Sequence, residues 1–379
     1  MSPTRPKLAA ALLALLGAVA TSACAETPED APLTASAEVT AAPDFGPFEQ
    51  VVFDGSALTE GVIVQHHGVV VYERYAAGYD ASKRHLAYSV SKSIGSALLG
   101  IAIHDGLLGL DDSVCQHVPP PPGAAPTLCD TTIRNLVHMA SGLDFGESYV
   151  DPTTSNVLPM MYGDEDDTGL YVATRPRKTA AGTTMAYSSG DSNLLARAIR
   201  GALHGRDMRD WASERLFVPA GLSSAIFESD RSGTLLFGSG AFLTPRDLAR
   251  FGQMYLDGGR VGSTQVLPAS WVEFSKTPAP PVSTPTPHIS DELGERGGSY
   301  GAQFWLNAAT PTAPADTRLY AEAPNEMFCA QGNWGQRVCM VPSRDLVVVR
   351  VGNDRAGFYD IGPAMAAAIA VIDGTKGAK

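Results

Sequence analysis

Basic residues are scarce in this 379-residue chain: 28 Lys and Arg stand against 40 Asp and Glu, leaving a formal net charge of -12 at pH 7. No stretch gathers the cations into a cluster. Nucleic acids and anionic membrane surfaces are held through clustered Lys and Arg, so neither is expected as a partner. Cysteine is sparse too, five in all, and no grouping of Cys and His has metal-ligand spacing. No metal and no cofactor is expected. His66-His67-Gly68 falls where a hairpin turn is expected rather than a ligand set, and no internal repeat is evident. The apolar run Leu8 to Ala20 is too short to be a stable bilayer span.

What that run does fit is export. Arg5 and Lys7 precede it and Thr21-Ser22-Ala23-Cys24-Ala25 follows it, the layout of a signal peptide. Two processing routes fit: cleavage after Ala25, or cleavage before Cys24 with a lipid anchor on its thiol. The Ala-, Thr-, Pro- and Glu-rich stretch to Pro43 reads as a disordered tether. The expected address is the periplasm, or the outer membrane as an anchored lipoprotein. The four remaining cysteines suit an oxidising compartment. Their simplest pairing is two local bridges, Cys115 to Cys129 across a proline-rich loop and Cys329 to Cys339 across a glycine-rich turn; buried free thiols are the alternative.

With 44% hydrophobic and 18% charged residues, the chain has the composition of a globular protein with a large core. Gly61 to Gln65 and Val69 to Tyr75 read as strands joined by the His66-His67-Gly68 turn. Apolar residues then recur at Ile94, Ala97, Leu98, Ile101 and Ala102, a helical period that breaks at His104-Asp105-Gly106. Further helices are expected over 132–139, 191–203 and 245–256, with an Ala-rich one over 363–372. Residues 142–184 are weakly periodic and irregular, and Pro and Gly are dense over 277–301. Strands return over 303–306, 337–341 and 346–351. The expected class is therefore α+β: an antiparallel sheet built from both termini and flanked by helices, plus an inserted, mainly helical lobe. The expected divisions are 1–24 for the signal peptide, 25–43 for the tether, 44–86 with 291–379 for the sheet lobe, and 87–290 for the helical lobe. A cleft is expected between the lobes, beside residue 89.

The chemistry concentrates in Tyr88-Ser89-Val90-Ser91-Lys92-Ser93. Ser89 and Lys92 are three apart in the first turn of a helix, hence on one face, so an amine can approach a hydroxyl beside the helix N-terminus. A serine needs such a base to become nucleophilic, and a lysine serves only where burial or neighbours let it lose its charge. The bland alternative is an N-capping serine with a solvated lysine. Tyr187-Ser188-Ser189-Gly190 could bring a phenol into the cleft, where the Lys92 ammonium would favour its phenolate; the alternative is a packing tyrosine. Gly332-Asn333-Trp334-Gly335-Gln336 could offer backbone N–H groups to an oxyanion from an edge strand, or be only a hairpin turn. Phe145-Gly146-Glu147-Ser148-Tyr149 offers a second phenol, Tyr149, for substrate contact.

Taken in this order, these segments resemble the penicillin-recognising serine hydrolases: class C β-lactamases, D-alanyl-D-alanine carboxypeptidases, related esterases and 6-aminohexanoate-dimer hydrolase. The resemblance runs from about residue 45 to 372. Ser89-Val90-Ser91-Lys92 matches the family's Ser-x-x-Lys, and Tyr187-Ser188-Ser189 its Tyr-x-Asn/Ser. Leu136-Val137-His138-Met139-Ala140-Ser141-Gly142-Leu143 and Asp247-Leu248-Ala249-Arg250-Phe251-Gly252 also look like family signatures. The resemblance implies a β-lactamase/transpeptidase-like fold, with Ser89 as nucleophile and Lys92 and Tyr187 as its proton-transfer partners. The N–H groups of Ser89 and Asn333 would hold the oxyanion. Tyr149, Ser189, Gly332 and Trp334 would contact substrate or complete the hydrogen-bond network; Phe145-x-Glu147-x-Tyr149 looks most like the 6-aminohexanoate-dimer hydrolase branch.

One departure bears on substrate. The Lys-Thr-Gly by which penicillin-binding enzymes meet a substrate carboxylate is absent; Gly332-Asn333-Trp334-Gly335 stands in its place. A charge-assisted bond of that kind contributes about 1.5–3 kcal/mol. Its loss turns the expectation toward small esters or linear amides, with no obligate protein partner. A D-alanyl-D-alanine carboxypeptidase or weak β-lactamase is the alternative within the family, and a non-catalytic exported ligand-binding module the alternative outside it.

Overall fold

Leu346-Val347-Val348-Val349-Arg350-Val351 is apolar at nearly every position because both faces of its strand are covered. The strand, Leu346–Gly352, is buried throughout. Val62, Val64, Leu346, Val348 and Val341 point to one side, against Phe48 and Val52 of helix Gly46–Val52 and Met365, Ala368 and Ile372 of helix Gly362–Lys376. Ile63, Val347, Val349, Val351, Val338 and Met340 point to the other, against Leu248 and Phe251 of helix Pro245–Leu256 and Val90, Ile94 and Leu98 of helix Val90–His104. The period of two thus sorts neighbouring side chains into two cores, each large side chain contributing about 1.5–3 kcal/mol on burial. Gly252 lets its helix close on the sheet: a Cβ there would stand 2.7 Å from Val347 Cγ1.

This computed structural model describes residues 43–55, 57–280, 299–308, 318–355 and 359–376. The signal peptide, Cys24 and nearly all of the tether lie outside the described residues, as do positions 281–298 of the Pro- and Gly-dense segment. Seven strands make one antiparallel sheet in the order Val69–Tyr75, Thr59–His66, Leu346–Gly352, Gln336–Val341, Phe328–Gly332, Trp305–Leu306, Ser299–Tyr300. The first two strands come from before residue 80 and the other five from after residue 298, with most of the helices between them in sequence. His66-His67-Gly68 does make the first hairpin turn, with His67 at φ 49° and Gly68 at φ 73°. Both cysteine pairs are bridged; Cys329 and Cys339 face each other across adjacent strands.

Two local expectations need correction. Residues 142–184 are not wholly irregular but hold two short helices, Val157–Tyr162 and Thr168–Ala173. Six residues are too few to show a period, and the second helix is fixed from outside: Asp167 accepts from Leu170 N–H at its cap and pairs with Arg197 of helix Ser189–Ala202 at 2.8 Å. The strand expected from 303 contains only Trp305–Leu306, because Gln303 turns its amide inward to the carbonyls of Val137 and Leu136. Outside the main sheet, His85–Leu86 pairs with Ala241–Leu243, which pairs on its other side with Ile226–Phe227, in a separate small sheet. That pairing carries the chain straight into Ser89, with Ala87 N–H bonded to Ala241 O at 2.8 Å.

Candidate active site

Ser89 stands at the N-terminus of helix Val90–His104, with helical angles (φ -69°, ψ -6°) and no capping bond from its side chain. Lys92 is only 1% exposed. An N-capping serine with a solvated lysine is therefore not what the structure contains. Lys92 Nζ instead donates to Ser89 Oγ at 2.9 Å, to Ser189 Oγ at 2.8 Å and to Gly238 O at 2.7 Å. All three partners are neutral. Burial drives the amine down to about 8, opposed by the negative charge of Glu147. A lysine so placed can give up its proton near neutral pH.

Tyr187 comes from the residue before the cap of helix Ser189–Ala202, where Ser188 accepts from Asp191 N–H. Its ring is stacked on Trp305 and edge-on to Tyr300, which fixes it in the cleft. The phenol lies close enough to Ser89 for its hydroxyl to favour the phenolate, against the larger effect of burial. Lys92 Nζ lies 4.9 Å from the centre of the same ring. Ser89, Lys92, Tyr187 and Ser189 are thus one cluster. The expectation that Lys92 would favour a phenolate does not hold: burial, with the charge of Glu147, pushes the Tyr187 phenol well above its ordinary range. The ammonium faces the ring rather than the oxygen, and the phenol keeps its proton.

On the far side of Lys92, Glu147 accepts from Ser189 N–H at 2.8 Å, from Ser189 Oγ at 2.5 Å and from the Tyr149 hydroxyl at 2.9 Å. Tyr149 Oη is also 3.4 Å from Ser189 Oγ. Desolvation and the neighbouring carboxylate raise the Tyr149 phenol far above its ordinary value. Beyond it, Asp191 holds Ser141 N–H and Oγ; burial pushes its carboxyl up to about 7.

The Gly332 turn closes the other wall. Phe328–Gly332 is not an edge strand, as the glycines suggested, but an interior one; its short neighbour Trp305–Leu306 pairs only with Phe328 and Cys329. The Gln331-Gly332 end is therefore open on the side of Ser89. A Cβ on Gly332 would stand 2.2 Å from Ala87 O and 3.2 Å from Ser89 N, so only glycine permits this approach. Asn333 follows in a short 3-10 turn, its Oδ1 accepting from Trp334 N–H. Trp334 sits at φ 56° and Tyr88 at φ 47°, both in the left-handed region that L residues rarely occupy. Their rings meet edge to face at 4.9 Å, and the Arg355 guanidinium lies over Trp334. Strained backbone on either side of a nucleophile is characteristic of functional sites.

Three contributors were not singled out by sequence reasoning. Gly238 supplies the carbonyl under Lys92, Glu147 gathers Ser189 and Tyr149, and Arg350 braces the Gly335 turn. Arg350 is fully buried; it donates to Gly335 O and Thr59 Oγ1 at 3.0 Å each and pairs with Asp354. A lone Arg inside a Val-rich strand was the available signal, since a buried cation needs partners nearby. Among the described residues no group of His, Cys, Asp and Glu could hold a metal ion.

The β-lactamase family model matches residues 48–371. The 6-aminohexanoate-dimer hydrolase of Paenarthrobacter ureafaciens is 26% identical over 258 residues, 65% of this chain and 64% of that protein. The match thus spans just under two thirds of the relative's length. A solved Bacillus anthracis structure assigned as a 6-aminohexanoate-dimer hydrolase superposes with a TM-score of 0.66 at 21% identity, covering 88% of this chain and 84% of that one. A family VIII carboxylesterase superposes with a TM-score of 0.64 at 14% identity, covering 86% and 95%. At such identities the structural likeness establishes the fold, which is β-lactamase/transpeptidase-like, and the family match establishes more: this chain belongs to the β-lactamase family of hydrolases.

Proposed function

We propose that this protein is an exported serine hydrolase that cleaves carboxylic esters or small linear amides through an acyl-enzyme on Ser89. The observation that carries the reading is the buried Lys92 amine, 2.9 Å from Ser89 Oγ and drawn down to about 8. In its neutral form Lys92 takes the Ser89 proton as Oγ attacks the carbonyl carbon. The negative charge moves to the carbonyl oxygen, held by the N–H groups of Ser89 and Asn333. Tyr187, still protonated, gives its proton to the departing oxygen or nitrogen and recovers one from Lys92. A water molecule then repeats the cycle in reverse and frees the acyl group from Ser89. Tyr149, Ser189, Gly332 and Trp334 line the space around the substrate.

The substrate class rests on the missing Lys-Thr-Gly and on Gly332-Asn333-Trp334-Gly335 in its place. The wall there presents an indole and a braced turn rather than an ammonium. The relatives named above as acting on an amide dimer or as a carboxylesterase support the same direction. Short-chain p-nitrophenyl esters, linear amides and penicillins assayed against wild type and Ser89→Ala test it. Ester or amide turnover that vanishes in Ser89→Ala is the expected result. Efficient penicillin turnover with none on the esters would reverse the ranking, and D-alanine release from a stem-peptide mimic would point to a carboxypeptidase.

Export rests on Arg5, Lys7, the run Leu8 to Ala20 and the Cys24 region, and the two cysteine bridges agree with an oxidising compartment. Mass spectrometry of the mature N-terminus tests it: a start after Ala25 or a lipidated Cys24 supports export, and an intact Met1 refutes it.

A further inference from the structure

Glu147 touches neither Ser89 nor Lys92, yet it controls the group between them and the loop. Ser189 has one hydroxyl hydrogen, and the structure directs it to Glu147 Oε1. The other Glu147 oxygen takes the Ser189 backbone N–H, the first of helix Ser189–Ala202, where the helix dipole favours a negative charge. With its hydrogen so committed, Ser189 Oγ can only accept from Lys92. The other bonds of Lys92 run to Ser89 Oγ and Gly238 O, so the direction of the ammonium is set on every side. No carboxylate among the described residues bonds Lys92 directly; Glu147 reaches it through one hydroxyl.

We propose that Glu147 is the positioning residue for Lys92: acting through Ser189, it fixes the direction of the amine and supplies the counter-charge that this buried cation otherwise lacks. The inference rests on Lys92 serving as the base for Ser89. The negative charge of Glu147 holds the ammonium against the pull of desolvation, so its removal makes Lys92 easier to deprotonate. The titratable groups facing this network are Tyr149 on the same loop, Tyr187 and Asp191 on either side of Ser189, Lys92 itself, and Tyr300 from the sheet. Of these, Asp191 also titrates near neutrality.

The test compares wild type, Glu147→Gln, Glu147→Asp and Asp191→Asn by two readouts. One is the titration of Lys92 in 13C-lysine-labelled protein, with its signal assigned against Lys92→Met. The other is the pH profile of kcat/KM on a short-chain p-nitrophenyl ester. In Glu147→Gln the side-chain amide carries no charge and, with its oxygen kept on Ser189 N–H, turns its NH2 donor toward Ser189 Oγ, which loses the acceptor for its hydrogen. The Lys92 midpoint is expected to fall by more than one pH unit, the acid limb of kcat/KM to move with it, and the plateau kcat to drop at least tenfold with KM within twofold. Glu147→Asp, which restores the charge, is expected to move the midpoint back toward wild type, while Asp191→Asn leaves it within half a unit. An unmoved Lys92 midpoint in Glu147→Gln overturns the proposal, as does a loss of kcat with the acid limb in place. If wild type shows no Ser89-dependent turnover, the reading of the activity falls, and the lysine titration still decides the hold of Glu147 on Lys92.

Discussion

The Lys92 ammonium lies over the face of the Tyr187 ring, 4.9 Å from its centre. A cation in that position is drawn to the π face by the ring quadrupole and does little for the phenolic oxygen at the rim. Burial then moves the two groups apart, the amine down to about 8 and the phenol, with the charge of Glu147 adding to the shift, far above its ordinary range. Such a separation is what the proposed mechanism requires of a lysine base and a phenolic acid.

Replacing Ser89, the proposed nucleophile, is the first prediction. Ser89→Ala removes one half-buried hydroxyl at a helix start whose side chain caps nothing, so the fold should persist. Hydrolysis should fall by roughly 10³-fold or more, and labelling by a fluorophosphonate should disappear. Labelling retained in Ser89→Ala would assign the nucleophile elsewhere.

On the proposed mechanism, in which neutral Lys92 is the base, kcat/KM should rise with pH and level off above about 8. Stability follows the same group. Between about 8 and the ordinary lysine range the unfolded chain binds a proton that folded Lys92 does not, so this contribution grows as pH rises through that window. Urea midpoints of wild type and Lys92→Met across it, with a steeper rise in wild type, check the sign.

His138 predicts a second pH effect, at the acid end. Burial pushes its imidazole down to about 4, with the Arg134 cation reinforcing the shift. Between that value and the ordinary 6.5 the unfolded chain holds the proton and the folded one does not. Stability should therefore fall as pH is lowered through this window. Acid unfolding of His138→Gln should show a shallower decline over the same interval.

Gly332→Ala should leave the protein folded and cripple the site. The new Cβ meets the Ala87 carbonyl at 2.2 Å, a backbone atom that cannot swing away. The strand end must retreat from Ser89, and with it the Asn333 N–H. A loss of kcat on the order of 10²-fold matches removal of one oxyanion donor; kcat within twofold of wild type would show that the turn lies outside the reaction.

The bridges predict that thiol titration under denaturing, non-reducing conditions finds Cys115, Cys129, Cys329 and Cys339 all unreactive. Replacing both Cys115 and Cys129 by Ser reopens a loop with a sequence separation of 14, which should lower stability by about 3 kcal/mol. Chemical denaturation of the double variant measures that loss.

Much of this was legible from one dimension. Ser89 and Lys92 are joined by helical spacing, the Val69–Tyr75 hairpin by its turn and alternation, and Leu346–Gly352 by its apolar run. Each of these is a short-range rule, in which the period of a helix or strand fixes who faces whom. Tyr187 and Asn333 were candidates with a bland alternative, a packing tyrosine or a hairpin turn, until the resemblance singled them out, since nothing local in Tyr-Ser-Ser or Gly-Asn-Trp-Gly says which cleft they enter.

Sequence alone determined that Ser89 and Lys92 share one face of a helix start, which residue types were the candidates for the site, and the antiparallel sheet shared between the two ends of the chain. Only the tertiary structure decided the state of those groups: that Lys92 is buried among neutral partners, that the Tyr187 phenol stays protonated, that Glu147 stands behind Ser189, and that Arg350 locks the Gly335 turn. The reason is that ionisation depends on desolvation and on charges brought close from distant positions, and neither quantity exists along an unfolded chain.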